Sequence, residues 1–162
     1  ESSWKSVGQL LRMLINTVAK GGNLLLNIGP TGRGEFDVRA LDRLAGMGEW
    51  MKRHGRAIYG CTEAPEEFPQ QRDCRLTYNP EKKRLYVHLY AWPFKQIHLD
   101  GAAFAERVEY AQLLNDASEL PIAQRHAAHA AMEKTGDVPS LTLQLPVQQP
   151  DVEIPVIELF LK

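Results

Sequence analysis

The chain has 162 residues, 44% hydrophobic and 24% charged, a composition that fits a globular protein of one or two domains. Nineteen basic residues against 20 acidic ones leave a net charge of −1, which excludes a basic nucleic-acid footprint. No apolar run approaches the roughly 20 residues a membrane-spanning helix needs, and no charged-then-apolar leader opens the chain. The expected setting is a soluble one, cytoplasmic in preference to secreted; export stays open because the chain opens on Glu1 rather than Met.

In chain order, the first expected element is a helix over residues 6–20. Ser6 and Gln9 have capping-box spacing, and Val7, Leu10, Leu11, Leu14, Ile15 and Val18 fall on one stripe. Lys20 suits the C-terminal dipole, and Gly21-Gly22 ends the helix. The apolar run over 23–28, bounded by Gly22 and Gly29-Pro30, predicts a strand buried on both faces, as in a parallel sheet. A loop over 31–36 follows. Asp37 then caps a second helix over 38–54, with Leu41, Leu44, Met47, Gly48 and Met51 along one face and Gly55 as the stop.

Beyond about residue 60 the pattern changes to short alternating runs. Strands are expected over 75–78, 84–92, 96–99, 107–113, 141–145 and 156–161, with a turn over 79–83. In the strongest of them Leu85, Val87, Leu89 and Ala91 share a face. The stretch 121–134 reads equally as helix or as an irregular crossover. A helix–strand–helix piece cannot close a barrel or bury its own stripes, so a longer polypeptide or a companion chain is expected.

The run Lys20-Gly21-Gly22-Asn23-Leu24-Leu25-Leu26-Asn27-Ile28-Gly29-Pro30, with Gly32, Gly34, Trp50 and Ala57-Ile58-Tyr59-Gly60, resembles the end of the catalytic domain in glycoside hydrolase family 29, the α-L-fucosidases. Tyr86-Val87-His88-Leu89-Tyr90-Ala91-Trp92-Pro93 is similar to a strand of that family's β-domain, and residues 145–162 suit its last two strands. The resemblance covers essentially the whole chain. It implies an α/β plus all-β fold. Residues 1–58 would be the terminal helix–strand–helix of a (β/α) TIM-like barrel, and residues 59–162 an antiparallel β-sandwich. It also implies a retaining hydrolase that removes terminal α-L-fucosyl residues from glycans or glycosides, using two carboxyls roughly 5 Å apart. In the family those carboxyls, an Asp nucleophile and usually a Glu acid/base, lie upstream of the glycine-bounded run. No catalytic residue is therefore assigned here, and the segment alone is expected to be inactive. The implied partners are the fucosylated substrate and the upstream barrel region. A homo-oligomer is left open.

Two residues stand out as substrate-binding or supporting candidates. Asn27 places an amide among Leu24, Leu25, Leu26 and Ile28, where it needs a dedicated partner. Trp92 ends the strongest strand beside Pro93-Phe94 and could stack on a sugar, although packing is the more ordinary use of such a residue. Trp4 and Trp50 are read as helix-face core.

Other constellations weigh less. Glu35 and Asp37 lie close in sequence, but Asp37 has a capping role. The loop 29–34 lacks the Gly-Lys-Ser/Thr ending of a phosphate loop. His126 and His129, three apart, lack further ligands, so no metal and no cofactor are expected. Cys61 and Cys74 are read as free thiols, with a single bridge as the alternative. The rival reading is a stand-alone β-sandwich that binds carbohydrate or serves assembly.

Overall fold

The computed structural model describes residues 4–126 and 138–162. Helix α1 spans Val7–Val18. The Ser6 hydroxyl accepts from the Gln9 N–H at 3.2 Å, and the Gln9 amide accepts from the Ser6 N–H at 2.9 Å. This reciprocal box satisfies two orphan donors at the helix start. Leu10, Leu11, Ile15 and Val18 are buried on the expected stripe. Gly21, at φ +74°, reverses the chain, and the Gly22 N–H returns to the Thr17 carbonyl at 2.9 Å.

Helix α2 spans Val38–His54, and Asp37 caps it through the Arg39 N–H at 2.9 Å. Lys52, Arg53 and His54 lie in its last turn, where they complement the dipole. Its buried side differs from the expected face. Ala40, Trp50 and His54 are buried, while Leu41 is exposed and Leu44, Met47 and Met51 are half-buried. Met47 and Met51 of the expected row pack against the same core as Trp50, whose large ring turns the buried side away from Leu41.

Residues 23–28 do not form the expected buried strand. They carry no ladder hydrogen bonds, and Leu25 is 92% exposed. A strand exists only through neighbours that take its N–H and C=O groups. None of the described residues supplies them.

A 3₁₀ turn, Gly55–Ala57, leads to the β region. The strands are β1 (Cys74–Asn79), β2 (Arg84–Leu89), β3 (Gln96–Asp100), β4 (Val108–Leu113), β5 (Ile122–His126), β6 (Ser140–Gln144) and β7 (Val156–Leu161). They build two antiparallel sheets, β1-β2-β7-β4 and β3-β6-β5. The β1–β2 turn places Lys83 at φ +51°, and the Asn79 side chain accepts from the Lys82 N–H at 3.0 Å. A six-residue helix α3 (Ala102–Arg107), absent from the sequence reading, precedes β4 and buries Phe104. In the ambiguous stretch 121–134, β5 accounts for the first part; residues 127–137, His129 among them, lie outside the described residues.

Alternation gives the four-stranded sheet two different faces. Leu85, Val87, Leu89, Ile157, Leu159 and Leu161 point into a core shared with Leu99, Leu141 and Leu143 of the three-stranded sheet. Burying each such side chain contributes roughly 1.5–3 kcal/mol relative to exposure. Tyr86 and Val156, from intervening positions, join a second core with Leu11, Ile15, Val18 and Trp50 of the two helices. The helices are thus packed onto the back of the sheet. Ala91, expected on the inner face, is exposed beyond the end of β2.

Candidate functional site

Asn27 lies in the extended segment after α1 and is exposed. It borders a cavity of about 280 Å³ lined also by Trp4, Leu10, Leu26, Arg43 and Leu44. Trp92 lies just past β2, half-buried against the inter-sheet core. Its Nε1–H donates to the Pro146 carbonyl at 3.2 Å. It lines a different, open cleft of about 830 Å³ together with Arg12, Tyr90 and residues 148–155. The two candidates therefore belong to separate cavities.

Of the two carboxylates near the first loop, that of Asp37 is committed elsewhere. Asp37 caps α2 and meets the Arg39 guanidinium at 2.7 and 2.9 Å. These hydrogen bonds hold its carboxyl down at about 2, so it stays ionised. A carboxylate already seated on the Arg39 N–H in the first turn of α2 also takes the place a phosphate would use. In the preceding loop the Thr31 N–H donates to the Glu35 carbonyl at 2.7 Å, closing a turn in which Gly34 sits at φ +79°.

Both cysteines are free. Burial pushes the Cys61 thiol up to about 11 and the Cys74 thiol up to about 12, so neither supplies a thiolate near neutrality. Among the described residues no group of three or more His, Cys, Asp or Glu side chains is arranged to hold a metal ion. Among the same residues no helix is long and apolar enough to cross a membrane.

Two polar clusters between the helices and the sheet escaped the sequence reading. In the first, His54 stacks on Trp50 with ring centroids 4.7 Å apart, and its Nδ1 lies 3.0 Å from the Trp50 carbonyl. That nitrogen therefore carries the proton. The Thr77 hydroxyl donates to the Ala57 carbonyl at 2.7 Å, so it accepts from Nε2–H of His88 at 2.9 Å. Burial lowers both imidazoles, His88 to about 3, with the neighbouring His54 adding to the effect at His88. Both rings are held neutral.

In the second cluster Glu158, buried in β7, accepts from Arg56 at 2.8 Å, Gln112 at 2.6 Å and the Tyr86 hydroxyl at 3.2 Å. A buried carboxylate needs this many donors to offset its desolvation. The tyrosine hydroxyl is pushed up, first by burial and then by the Glu158 charge. The only hints in the sequence were a Glu inside an apolar run and a His on the outward face of an alternating strand.

Comparison with known proteins gives the fold its context. Solved α-L-fucosidases share it: that of Paenibacillus thiaminolyticus is 34% identical with a TM-score of 0.79, over 98% of this chain and 35% of its own. A Thermotoga maritima α-fucosidase solved in complex with fucose is 26% identical with a TM-score of 0.75, over 98% of this chain and 35% of its own. Residues 1–56 match the family model described as alpha-L-fucosidase. Plasma alpha-L-fucosidase of Rattus norvegicus is 40% identical over 89 residues, 54% of this chain and 19% of the relative. The chain is therefore similar in sequence and fold to a portion of the α-L-fucosidases, with residues 1–56 inside the match to that family's model. It spans about a fifth of the length of the curated relatives and about a third of the solved ones.

Proposed function

We propose that this chain is the distal part of a retaining α-L-fucosidase that hydrolyses terminal α-L-fucosyl residues from glycans or glycosides. Residues 1–58 form the last helix–strand–helix of a (β/α) barrel, and residues 59–162 form a β-sandwich domain behind it. The observation that carries this reading is the segment 23–30. It has the apolar sequence of a barrel strand, lies inside the match to the fucosidase family, and finds no strand partner among the described residues. Its partners are the upstream barrel strands, which also bring the nucleophile and the acid/base. The fucose bound by the Thermotoga maritima relative supports the sugar named here.

In this reading α1 and α2 do two things at once. Their Trp50–Ile15 side seats on the sheet, and their opposite side backs the barrel. Asn27, near the end of the strand, supports the acid/base or sugar site, since barrel enzymes build their sites at the C-terminal ends of strands. Trp92 packs the β-domain and adds a sugar-facing ring.

The experiment compares the longer protein with the 162-residue chain on an aryl α-L-fucoside. The longer protein turns over and first releases fucose with retained anomeric configuration. The short chain shows no turnover above background. Activity in the rigorously purified short chain, or inversion by the longer protein, overturns the proposal.

A further inference from the structure

The open cleft beside Trp92 combines features that a strand-end packing role does not require. Its volume of about 830 Å³ falls within the roughly 300–1,000 Å³ of small-molecule sites. Trp92, half-buried, lines it together with Tyr90, whose ring is covered by Arg12, and with the strap 148–155, which presents the exposed Gln148, Gln149 and Asp151. Arg12 also lines the cleft.

Contacts within the chain hold Trp92, Arg12 and the strap backbone in place. The Trp92 indole is oriented by its hydrogen bond to the Pro146 carbonyl at 3.2 Å. Arg12 lies 4.4 Å from the Tyr90 ring centroid, and its Nη2 donates to the Tyr90 carbonyl at 3.2 Å. The strap carries Pro150 and Pro155, and Trp50 Nε1–H holds it at the Glu153 carbonyl. Preorganised walls reduce the ordering cost of binding.

The charge balance narrows the ligand. Arg12 is offset by Asp151 and Glu153, so the cleft lacks the cationic excess a phosphate or other strong anion needs. An indole, amides and a carboxylate lining one cleft suit a molecule with apolar C–H faces and many neutral hydroxyls. We infer that the cleft between α1 and residues 148–155 is a binding site for a neutral saccharide. Trp92 supplies the stacking face, and Gln148 and Asp151 bond hydroxyls.

The test is a titration of the isotope-labelled 162-residue chain with fucosyllactose, lactose and glucose phosphate, followed by amide and indole NMR. The Trp92 indole and the Gln148 and Gln149 side-chain amides should shift together and saturate with one of the neutral sugars by about 20 mM, the weak affinity range of small polar ligands. Asp151→Ala and Gln148→Ala change exposed strap residues and leave the fold intact; together they should weaken binding by about tenfold or more, the cost of two lost hydrogen bonds. Trp92→Phe should weaken it as well. No saturable shift, a shift elsewhere that the strap variants do not alter, or a preference for the phosphorylated sugar overturns the inference. Hydrolysis by the longer protein is measured separately, so this inference and the fucosidase reading fail independently.

Discussion

The indole Nε1–H of Trp50 donates to the carbonyl of Glu153 at 2.6 Å, joining the C-terminal part of α2 to the strap that leads into β7. The two residues are 103 positions apart, and the bond lies at the edge of the core shared by helices and sheet. Beside it, the Glu153 carboxylate comes within 2.9 Å of where a Cβ would sit on Gly8. One segment therefore touches both helices, and small changes there should loosen them together.

Trp50→Phe keeps an aromatic ring and removes the donor. The loss of one largely buried hydrogen bond should cost about 1–3 kcal/mol, read from the urea midpoint at constant slope. An unchanged midpoint would show that the bond does not hold the helices to the sheet.

Acid should weaken the same seam. His88 and His54 are buried as neutral rings, and their folded values lie below the ordinary histidine range, His88 at about 3. Above about pH 6.5 both folded and unfolded rings are neutral, and no cost arises. As pH falls below that value the unfolded rings bind protons first, and stability declines until the folded rings titrate. Each ring contributes a slope of up to about 1.4 kcal/mol per pH unit. Stability measured from pH 7.5 to 4.5 should fall less steeply in His88→Phe than in the parent. Equal slopes would remove His88 from the account.

The Arg56–Glu158 pair is half wet, since the arginine side chain is 47% exposed and the glutamate side chain 5%. Gln112 and Tyr86 remain bonded to the carboxylate when Arg56 is truncated. A double-mutant cycle on Arg56→Ala and Glu158→Gln should therefore give a coupling of about 1–2 kcal/mol, below that of a fully buried pair. A coupling near zero would mean the remaining partners, Gln112, Tyr86 and Arg84 at 3.9 Å, suffice.

Asn27→Ala should leave the melting temperature of the 162-residue chain unchanged, because the side chain is exposed there. In the longer protein the same change should lower turnover ten- to a hundredfold, about 1.4–2.7 kcal/mol in barrier. A lowered melting temperature with full turnover in the longer protein would make Asn27 structural.

The elements readable from the sequence were those whose determinants are local. The Ser6–Gln9 box and the Asp37 cap lie within one helical turn of what they stabilise, and the 84–89 alternation needs only its own period. The expected face of α2 holds at Met47 and Met51 but not at Leu41, because Trp50 turns the helix toward a partner 103 residues away. Helix α3 is too short for a periodic signal. Residues 23–28 read as a strand on composition, but a ladder is a property of neighbours. For the candidate site, Asn27 and Trp92 were visible as polar and aromatic exceptions in their runs. The His54–Trp50–His88 and Glu158 clusters were not, because they assemble across the helix–sheet seam.

That residues 23–28 become a paired strand only beside the rest of the polypeptide is tested most directly by amide hydrogen exchange on that segment. In the 162-residue chain the amides of Leu24, Leu25, Leu26 and Ile28 should exchange nearly as fast as in an unstructured peptide. In the longer protein they should be slowed by roughly a hundredfold or more, as for a core strand. Strong protection of these four amides in a verified monomer of the short chain, or none in the longer protein, would contradict the account.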